Sequence, residues 1–190
     1  MVRRSMPLSI ALAALMTVPA GAALNTGTRA PLFSAPATLG GKVFTFSLAS
    51  ALARGPVVLY FYPAAFTPGC TMEAHDFADH IANYRALGAT VIGVSMDDLP
   101  KLQKFSVSEC RSKFAVASDA TRKISREYDA VIADGLAIYS NRTSYVIAPD
   151  GRVVYSYTSL DFHQHVANTL SALRKLRAAS ASRSRPHRAR

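Results

Sequence analysis

Short apolar runs, rich in β-branched and aromatic residues, alternate along the chain with segments of helical spacing. The runs are of strand length and are bounded by Gly, Pro, Asn or Asp, which predicts buried strands. The predicted strands are 42–46, 57–62, 90–95, 114–117, 143–147 and 153–157. The predicted helical segments are 48–54, 70–87, 99–108, 121–128 and 162–176.

The order of these elements indicates the fold class. Strand–helix units fill the middle of the chain, whereas Gly40-Gly41 and Pro149-Asp150-Gly151 mark β-hairpins near its two ends. Such an order predicts an α/β protein with a central mixed sheet flanked by helices and an N-terminal β-hairpin extension. It is compatible with a thioredoxin-like fold, although periodicity alone does not single that fold out.

The first 22 residues have the pattern of a signal peptide. Arg3 and Arg4 precede an uncharged apolar stretch, 6–18, and Ala20-Gly21-Ala22 offers a cleavage site after Ala22, with cleavage after Ala23 as the alternative. An uncleaved membrane anchor is less favoured because the stretch is short and is flanked by prolines. We therefore expect an exported, periplasmic protein without membrane association once processed, with a single domain over 23–177.

Basic residues are concentrated at the chain ends. The formal net charge is +10, yet residues 5–173 contain 13 Lys and Arg against 12 Asp and Glu. The C-terminal segment 178–190, rich in Ser, Ala and Arg, is predicted to be a disordered basic tail. It could bind an anionic surface such as nucleic acid or lipid headgroups. A solvated extension is preferred, so nucleic acid is not an expected partner.

Cys70 is the strongest candidate for a reactive group. The apolar strand 57–62 leads to a Pro68-Gly69 turn, and Cys70 then opens a helical segment. A cysteine in the first helical turn lies where free backbone N–H groups and the helix dipole favour the thiolate. The alternative is a small buried apolar residue, the commoner role of a free cysteine.

Two separated motifs resemble those of a known family. Pro63-x-x-x-Thr67-x-x-Cys70 is similar to the signature of the peroxiredoxins, and its flanking residues resemble the bacterioferritin comigratory protein-like branch. That branch belongs to the alkyl hydroperoxide reductase/thiol-specific antioxidant family. Arg142, followed by 143–147 and Pro149-Asp150-Gly151, resembles the strand that carries the family's active-site arginine. The resemblance covers most of residues 27–176.

The resemblance implies a thiol-dependent peroxidase that reduces hydrogen peroxide and small organic hydroperoxides through a sulfenic acid at Cys70. It requires no metal, haem or flavin cofactor. By analogy, Arg142 lies beside the sulfur and donates hydrogen bonds to the peroxide, and the Thr67 hydroxyl bonds both sulfur and peroxide. Pro63 shields the sulfur because it has no N–H. Glu73, one helical turn after Cys70, orients the guanidinium of Arg142.

Thiolate formation alone does not explain peroxidase activity. A free thiol with a pKa of ~8.5 is already a few per cent ionised near neutrality, so full ionisation gains at most about 30-fold, or ~2 kcal/mol. Enzymes supply ~8 kcal/mol or more. Most of the acceleration must come from in-line positioning and from donors directed at the breaking O–O bond, which ranks Arg142 and Thr67 with Cys70.

The sulfenic acid must be reduced before it is oxidised further. Many relatives carry a resolving cysteine five residues after the first, a position that His75 occupies here. The resemblance makes Cys110, near the end of the next helix, the candidate resolving thiol. A one-cysteine enzyme and a static disulfide remain open. The expected reductant is an external thiol or thioredoxin-like protein, and the expected assembly is a monomer or homodimer.

Other interpretations of the sequence are weaker. A thiol–disulfide oxidoreductase needs a Cys-x-x-Cys pair, but Glu73 occupies the fourth position. A non-catalytic protein that binds anions through its tail would leave the motifs around Cys70 unexplained. The histidines and aspartates of 75–80 lack ligand spacing and predict a solvated helix face rather than a metal site. His163 and His165 are predicted to lie on the surface of the last helix.

Overall fold

The computed structural model describes residues 23–183. The predicted signal peptide, 1–22, and the end of the predicted tail, 184–190, lie outside the described residues. Within the described part, no helix is long and apolar enough to cross a membrane.

A seven-stranded mixed sheet forms the centre of the domain. The strands of the structure are β1 (Ser34–Leu39), β2 (Lys42–Ser47), β3 (Val57–Phe61), β4 (Thr90–Ser95), β5 (Ala115–Ser118), β6 (Val131–Asp134), β7 (Ala137–Ser140), β8 (Thr143–Ile147) and β9 (Val153–Thr158). The order across the sheet is β2-β1-β5-β4-β3-β8-β9, and β6 and β7 form a separate hairpin. Strands β3, β4 and β5 are parallel to one another, whereas the remaining pairs are antiparallel.

Helices cover both faces of the sheet. They are α1 (Leu48–Leu52), α2 (Pro68–Asp79), α3 (Ile81–Ala86), α4 (Leu99–Ser108), α5 (Lys123–Glu127) and α6 (His165–Arg183), with a 3-10 turn at Phe162–Gln164 before the last. One apolar cluster joins the sheet to α2, α3, α4 and α6, and the other joins it to α1 and α5. The predicted mixed sheet flanked by helices is confirmed.

Strand β3 shows why the central strands read as unbroken apolar runs. Tyr60 packs in the cluster beneath α2 and α4, whereas Leu59 and Phe61 pack in the cluster on the other face. Because successive side chains of a strand point to opposite faces, a strand covered on both sides has no solvent-facing position. All five residues of β3 are accordingly buried.

The N-terminal hairpin is part of the main sheet. Gly40 and Gly41 both have positive φ, at 55° and 76°, which is the turn geometry that a two-residue hairpin loop prefers. β1 also pairs with β5, so the predicted extension adds two strands to one edge of the sheet.

The predicted helix 70–87 is divided in two. It begins two residues earlier, at Pro68, and is interrupted at His80, whose φ and ψ of −96° and 6° are not helical. The His80 imidazole Nδ1 lies 2.9 Å from the carbonyl oxygen of Asp76, so the side chain bonds to the backbone at the break. The single predicted helix is therefore two helices in the structure.

The β6–β7 hairpin is an element that the apolar pattern did not predict. The two strands are four residues each and join through Gly135, which has a φ of 58°. The hairpin immediately precedes Arg142, and the Asn141 N–H donates to the carbonyl oxygen of Ala130 across its base. It therefore fixes where the chain enters β8.

The last helix is longer than predicted. α6 continues to Arg183, so the prediction of disorder from residue 178 is wrong for residues 178–183. Alanine is the best helix former, and the segment contains three of them with no glycine or proline. Arg177 also anchors the helix by donating to the carbonyl oxygen of Ala86 at 2.9 Å.

Candidate active site

Sheet topology brings Cys70 and Arg142 to one edge. The loop that carries Cys70 leaves the carboxyl end of β3, and β8 begins directly after Arg142. Because β8 is antiparallel to β3, with Phe61 opposite Thr143, the end of one strand lies beside the start of the other. Two residues 72 positions apart in sequence therefore meet.

Cys70 occupies the third position of α2. Thr67 is the N-cap, Pro68 and Gly69 follow, and Pro68 suits the first helical position because its missing N–H needs no partner there. Cys70 thus lies in the first turn of the helix, as predicted. The side chain is only 1% exposed.

The loop before Cys70 is fixed by a residue that the sequence did not single out. Asp97, after β4, accepts hydrogen bonds from the Ala65 N–H at 2.7 Å and from the Ser95 hydroxyl at 2.9 Å. Its other oxygen pairs with Lys101 Nζ at 2.6 Å. Phe66, next in the loop, has a φ of 68°, which a non-glycine residue rarely adopts. Asp97 therefore stabilises a tight turn that orients the start of α2.

Arg142 contacts the sulfur directly. Its Nη2 lies 3.4 Å from Cys70 Sγ, its Nε donates to the carbonyl oxygen of Leu160 at 3.0 Å, and its Nη1 donates to Glu73 Oε2. Three partners on three sides leave the planar guanidinium one orientation. The predicted placement of Arg142 beside Cys70 and of Glu73 beside Arg142 is observed.

Burial shapes the protonation of this cluster. Burial alone would lower the pKa of Arg142, but the charges of Glu73 and Cys70 outweigh it and raise that pKa. Burial raises the pKa of Glu73 to about 8, although Arg142 acts in the opposite direction. Arg142 is therefore a permanent cation, whereas Glu73 can be neutral at physiological pH.

Gly69 leaves room for the guanidinium. A Cβ at this position would lie 3.3 Å from Arg142 Nη2 and 3.8 Å from the ring of Phe162. The backbone of Gly69 is helical, so its role here is to allow close approach rather than to adopt a left-handed conformation.

Thr67 and Pro63 lie in the loop between β3 and α2. The Thr67 hydroxyl donates to the carbonyl oxygen of Ala64 at 2.9 Å, and the side chain is exposed. Its proton is therefore not free to donate to the Cys70 sulfur, and the predicted Thr67–sulfur hydrogen bond is not formed. Its lone pairs are available to accept from an incoming O–H. Pro63 is half-buried.

His165 is buried, which contradicts its predicted surface position. Its Nδ1 lies 2.8 Å from the Ser144 hydroxyl and 3.7 Å from Glu73 Oε1, and its Nε2 lies 3.0 Å from the carbonyl oxygen of Ser159. The 3-10 turn at Phe162–Gln164 sets the phase of α6 so that this side chain faces the sheet. His163 is exposed and pairs with Asp161, as a surface residue does.

Cys110 lies in the same apolar cluster as Cys70, and both are free thiols. Burial, with a contribution from the charge of Glu109, raises the pKa of Cys110 well above its ordinary value. Arg111 and Ser112, which follow, have φ values of 50° and 54°, an uncommon pair of left-handed residues. The thiol is thus protonated and inaccessible in this conformation.

The polar residues of α2 pair with neighbouring groups. His75 Nε2 lies 2.8 Å from Glu109 Oε2, and Asp79 pairs with Arg111. These two contacts, a His–carboxylate hydrogen bond and an ion pair, flank Cys110 and tie its segment to the helix that carries Cys70.

Comparison with known proteins identifies the class to which this fold and site belong. The model of the AhpC/TSA family matches residues 26–156, which include every candidate site residue. The chain belongs to the AhpC/TSA family.

Relatives place it near one branch of that family. A chloroplastic peroxiredoxin Q of Triticum aestivum is 38% identical over 122 residues, which are 64% of this chain and 55% of that protein. The chain thus spans about half the length of such curated relatives. A Mycobacterium tuberculosis protein, whose name also assigns it to the peroxiredoxins, is 33% identical over 150 residues, covering 76% of this chain and 91% of that protein.

Solved structures of the same branch have a fold similar to that of this chain. Peroxidoxin BcpB from Mycobacterium tuberculosis superposes with a TM-score of 0.73 at 31% identity, over 80% of this chain and 97% of that one. Peroxiredoxin Q from Xanthomonas campestris gives a TM-score of 0.66 at 28% identity, over 74% and 89%. The predicted resemblance to the bacterioferritin comigratory protein-like branch is confirmed, and neither alternative function is favoured.

Proposed function

We propose that this protein is a thiol-dependent peroxidase that reduces hydrogen peroxide and small organic hydroperoxides. The Cys70 thiolate attacks one peroxide oxygen, and the S–O bond forms as the O–O bond breaks. The other oxygen leaves as hydroxide or alkoxide and takes up a proton, which gives water or an alcohol. Cys70 is left as the sulfenic acid.

One observation carries this proposal: the Arg142 guanidinium lies 3.4 Å from the Cys70 sulfur in an orientation fixed by Glu73 and Leu160. A fixed cation beside the sulfur stabilises the thiolate before reaction. The same group stabilises the negative charge that develops on the peroxide oxygens. Because it is already oriented, little reorganisation is needed during the reaction.

The loop supplies the remaining contacts. With its proton committed to Ala64, the Thr67 hydroxyl can accept from the O–H of the peroxide and so orient it for in-line attack. Pro63 brings an apolar ring and no N–H to the loop, so it does not compete with the peroxide for hydrogen bonds.

We infer that Cys110 resolves the sulfenic acid. Its thiol attacks the Cys70 sulfur, a disulfide forms, and water is released. An external dithiol or thioredoxin-like protein then reduces the disulfide. The two sulfurs share one apolar cluster, and the left-handed residues after Cys110 favour local opening of its segment. Opening must come first, because the buried thiol is protonated.

Single substitutions of the two cysteines test both steps. Peroxide turnover with a dithiol reductant should be abolished in Cys70→Ser. In Cys110→Ser, the first equivalent of peroxide should still oxidise Cys70, and mass spectrometry should detect a sulfenic acid in place of the disulfide. Turnover that survives in Cys70→Ser would contradict the peroxidase proposal. Unchanged turnover in Cys110→Ser, with no disulfide in the parent, would show a one-cysteine enzyme instead.

We also propose that the protein acts after export, with the periplasm as its compartment. The basic, apolar and small-residue regions of 1–22 support this proposal. The N-terminus of the protein recovered from a bacterial periplasmic fraction should be Ala23. Recovery of full-length protein from the cytosol alone would contradict it.

A further inference from the structure

A second buried titratable pair lies behind Arg142. Glu73 and His165 are both fully buried. Arg142 donates to Glu73 Oε2, but Glu73 Oε1 has no hydrogen-bond partner among the described residues. The nearest candidate, His165 Nδ1, is 3.7 Å away, which is too long for a hydrogen bond. An ionised carboxylate with an unpaired, buried oxygen is unfavourable, so the protonation state of Glu73 needs an explanation.

The hydrogen bonds of His165 show that it does not supply a proton to Glu73. Nε2 faces the carbonyl oxygen of Ser159, which can only accept, so Nε2 carries the hydrogen. Nδ1 then accepts from the Ser144 hydroxyl. Burial lowers the pKa of His165 to about 4, which agrees with a neutral ring. The lone pair of Nδ1 therefore lies near Glu73 Oε1.

The number of charges in the cluster also indicates that Glu73 is protonated. With Cys70 as the thiolate and Glu73 as the carboxylate, Arg142 would be one buried cation between two buried anions. A surplus charge without solvent is strongly disfavoured, and of two neighbouring acids one keeps its proton. Cys70 must be the ionised one for reaction with peroxide.

Several further titratable groups act on Glu73. They are Asp76 (α2), Tyr60 (β3), Tyr84 (α3), Arg142 (before β8) and His165 (α6), and Cys70 (α2) shares Arg142 with Glu73. Of these, only Arg142 is a cation at neutral pH. Its charge is shared with Cys70, which leaves the carboxylate form of Glu73 without a cation of its own.

We propose that Glu73 is protonated when Cys70 is the thiolate, and that neutral His165 is the positioning residue that keeps it so by denying Oε1 a donor. The full charge of Arg142 is then directed to the sulfur and the peroxide. The effect on rate rests on the proposed peroxidase function, whereas the protonation state of Glu73 does not.

A pH dependence follows, with a definite sign. As the pH rises through the pKa of Glu73, the carboxylate forms, competes with Cys70 for Arg142, and slows the reaction with peroxide above about pH 8. In Glu73→Gln this alkaline decline should disappear. In His165→Asn the amide can donate to Oε1, so the decline should move to lower pH by about one unit or more.

The protonation state can be measured without any assay of activity. The chain has only three glutamates, Glu73, Glu109 and Glu127, so ¹³C labelling of glutamate carboxyls gives three NMR signals. The signal that is lost in Glu73→Gln identifies Glu73. We expect its midpoint near pH 8 in the reduced protein, and a lower midpoint in Cys70→Ser, where the competing anion is absent.

Each outcome of this titration is decisive. Three midpoints all below about pH 5.5 would overturn the proposal, whatever the activity of the protein. A midpoint near pH 8 that does not move in folded His165→Asn would overturn the role of His165. Should His165→Asn fail to fold, as judged by circular dichroism, the parent titration still decides the state of Glu73. A midpoint near pH 8 without peroxide turnover supports this proposal while contradicting the proposed function.

Discussion

The two cysteines are almost equally buried but have opposite electrostatic surroundings. Cys70 and Cys110 are 1% and 0% exposed and share one apolar cluster. Cys70 lies in the first turn of a helix with Arg142 at 3.4 Å. Cys110 follows Glu109, whose negative charge adds to burial in raising the pKa of the Cys110 thiol.

This difference shows that burial alone does not determine the reactivity of a thiol. In a low-dielectric interior a nearby cation stabilises a thiolate more strongly than it would in water, and the absence of one keeps a thiol protonated. The order of events follows. Cys70 is equipped to react in the closed structure, whereas Cys110 must leave its site before it can act.

The surroundings also differ in how the backbone is held. The turn before Cys70 is fixed by partly buried hydrogen bonds to Asp97. The segment of Cys110 is tied to α2 by the partly exposed contacts His75–Glu109 and Asp79–Arg111, and exposed contacts of this kind contribute only about 0–1 kcal/mol each. The turn before Cys70 is therefore held more firmly than the segment of Cys110.

Arg142→Lys should reduce the difference in reactivity between Cys70 and Cys110 most strongly. Lysine keeps the charge but cannot contact Cys70, Glu73 and Leu160 at once, so an oriented donor is lost. We expect the reaction of Cys70 with peroxide to slow by about 10²-fold, the usual effect of removing one oriented donor from an active site. Because the chain has no tryptophan, the thiol is best followed by acid quench and mass spectrometry.

Arg152→Lys is the matched control. Arg152 is half-exposed, pairs with Asp150 at 3.9 Å and lies at the opposite end of β8, so its replacement should leave the rate unchanged. A rate for Arg142→Lys within threefold of the parent would show that charge alone, without orientation, suffices beside Cys70.

How far the sequence predicted the site depends on the range of the interactions. The position of Cys70 at a helix start and of Glu73 one turn later follow from local turn and helix signals, and both are observed. The meeting of Cys70 and Arg142 is a tertiary contact that was predicted from family resemblance alone. Nothing in local spacing indicates it.

The errors have physical causes. The sequence predicts a surface position for His165, although His165 and Thr169 each immediately precede an inward residue, Val166 and Leu170, and so widen the buried face. The 3-10 turn that sets this phase has no signal in the periodicity. The β6–β7 hairpin was missed although Asp134-Gly135 between short apolar runs is a hairpin signal. Its strands are too short to stand out.

Glu109→Gln tests how the surroundings of Cys110 limit its reactivity. It weakens the contact with His75 and removes the negative charge that helps to keep the Cys110 thiol protonated. Both effects favour opening and ionisation of Cys110. We expect the Cys70–Cys110 disulfide to form about three- to fivefold faster, since a partly exposed carboxylate contact is worth up to about 1 kcal/mol. Quenched samples taken after one equivalent of peroxide give the rate.

Glu127→Gln provides the comparison, because it disrupts a similar exposed ion pair, with Lys123, on another helix. It should change neither step. Slower disulfide formation in Glu109→Gln would mean that the ion pair guides Cys110 towards Cys70 rather than restraining it.

Gly69→Ala tests how closely Arg142 must approach Cys70, and its expected effect is the smallest. Alanine suits the helical backbone here and should stabilise the protein by about 0.5–1 kcal/mol in urea unfolding. Its Cβ, however, would lie 3.3 Å from Arg142 Nη2 and must displace the guanidinium by a few tenths of an ångström. We expect the peroxide reaction to slow by about threefold, because an oriented donor is sensitive to small displacements. Disulfide formation at Cys110 should be unaffected. A variant that is both more stable and equally fast would show that the Arg142–Cys70 distance tolerates adjustment, and that rigidity is not what separates the two cysteines.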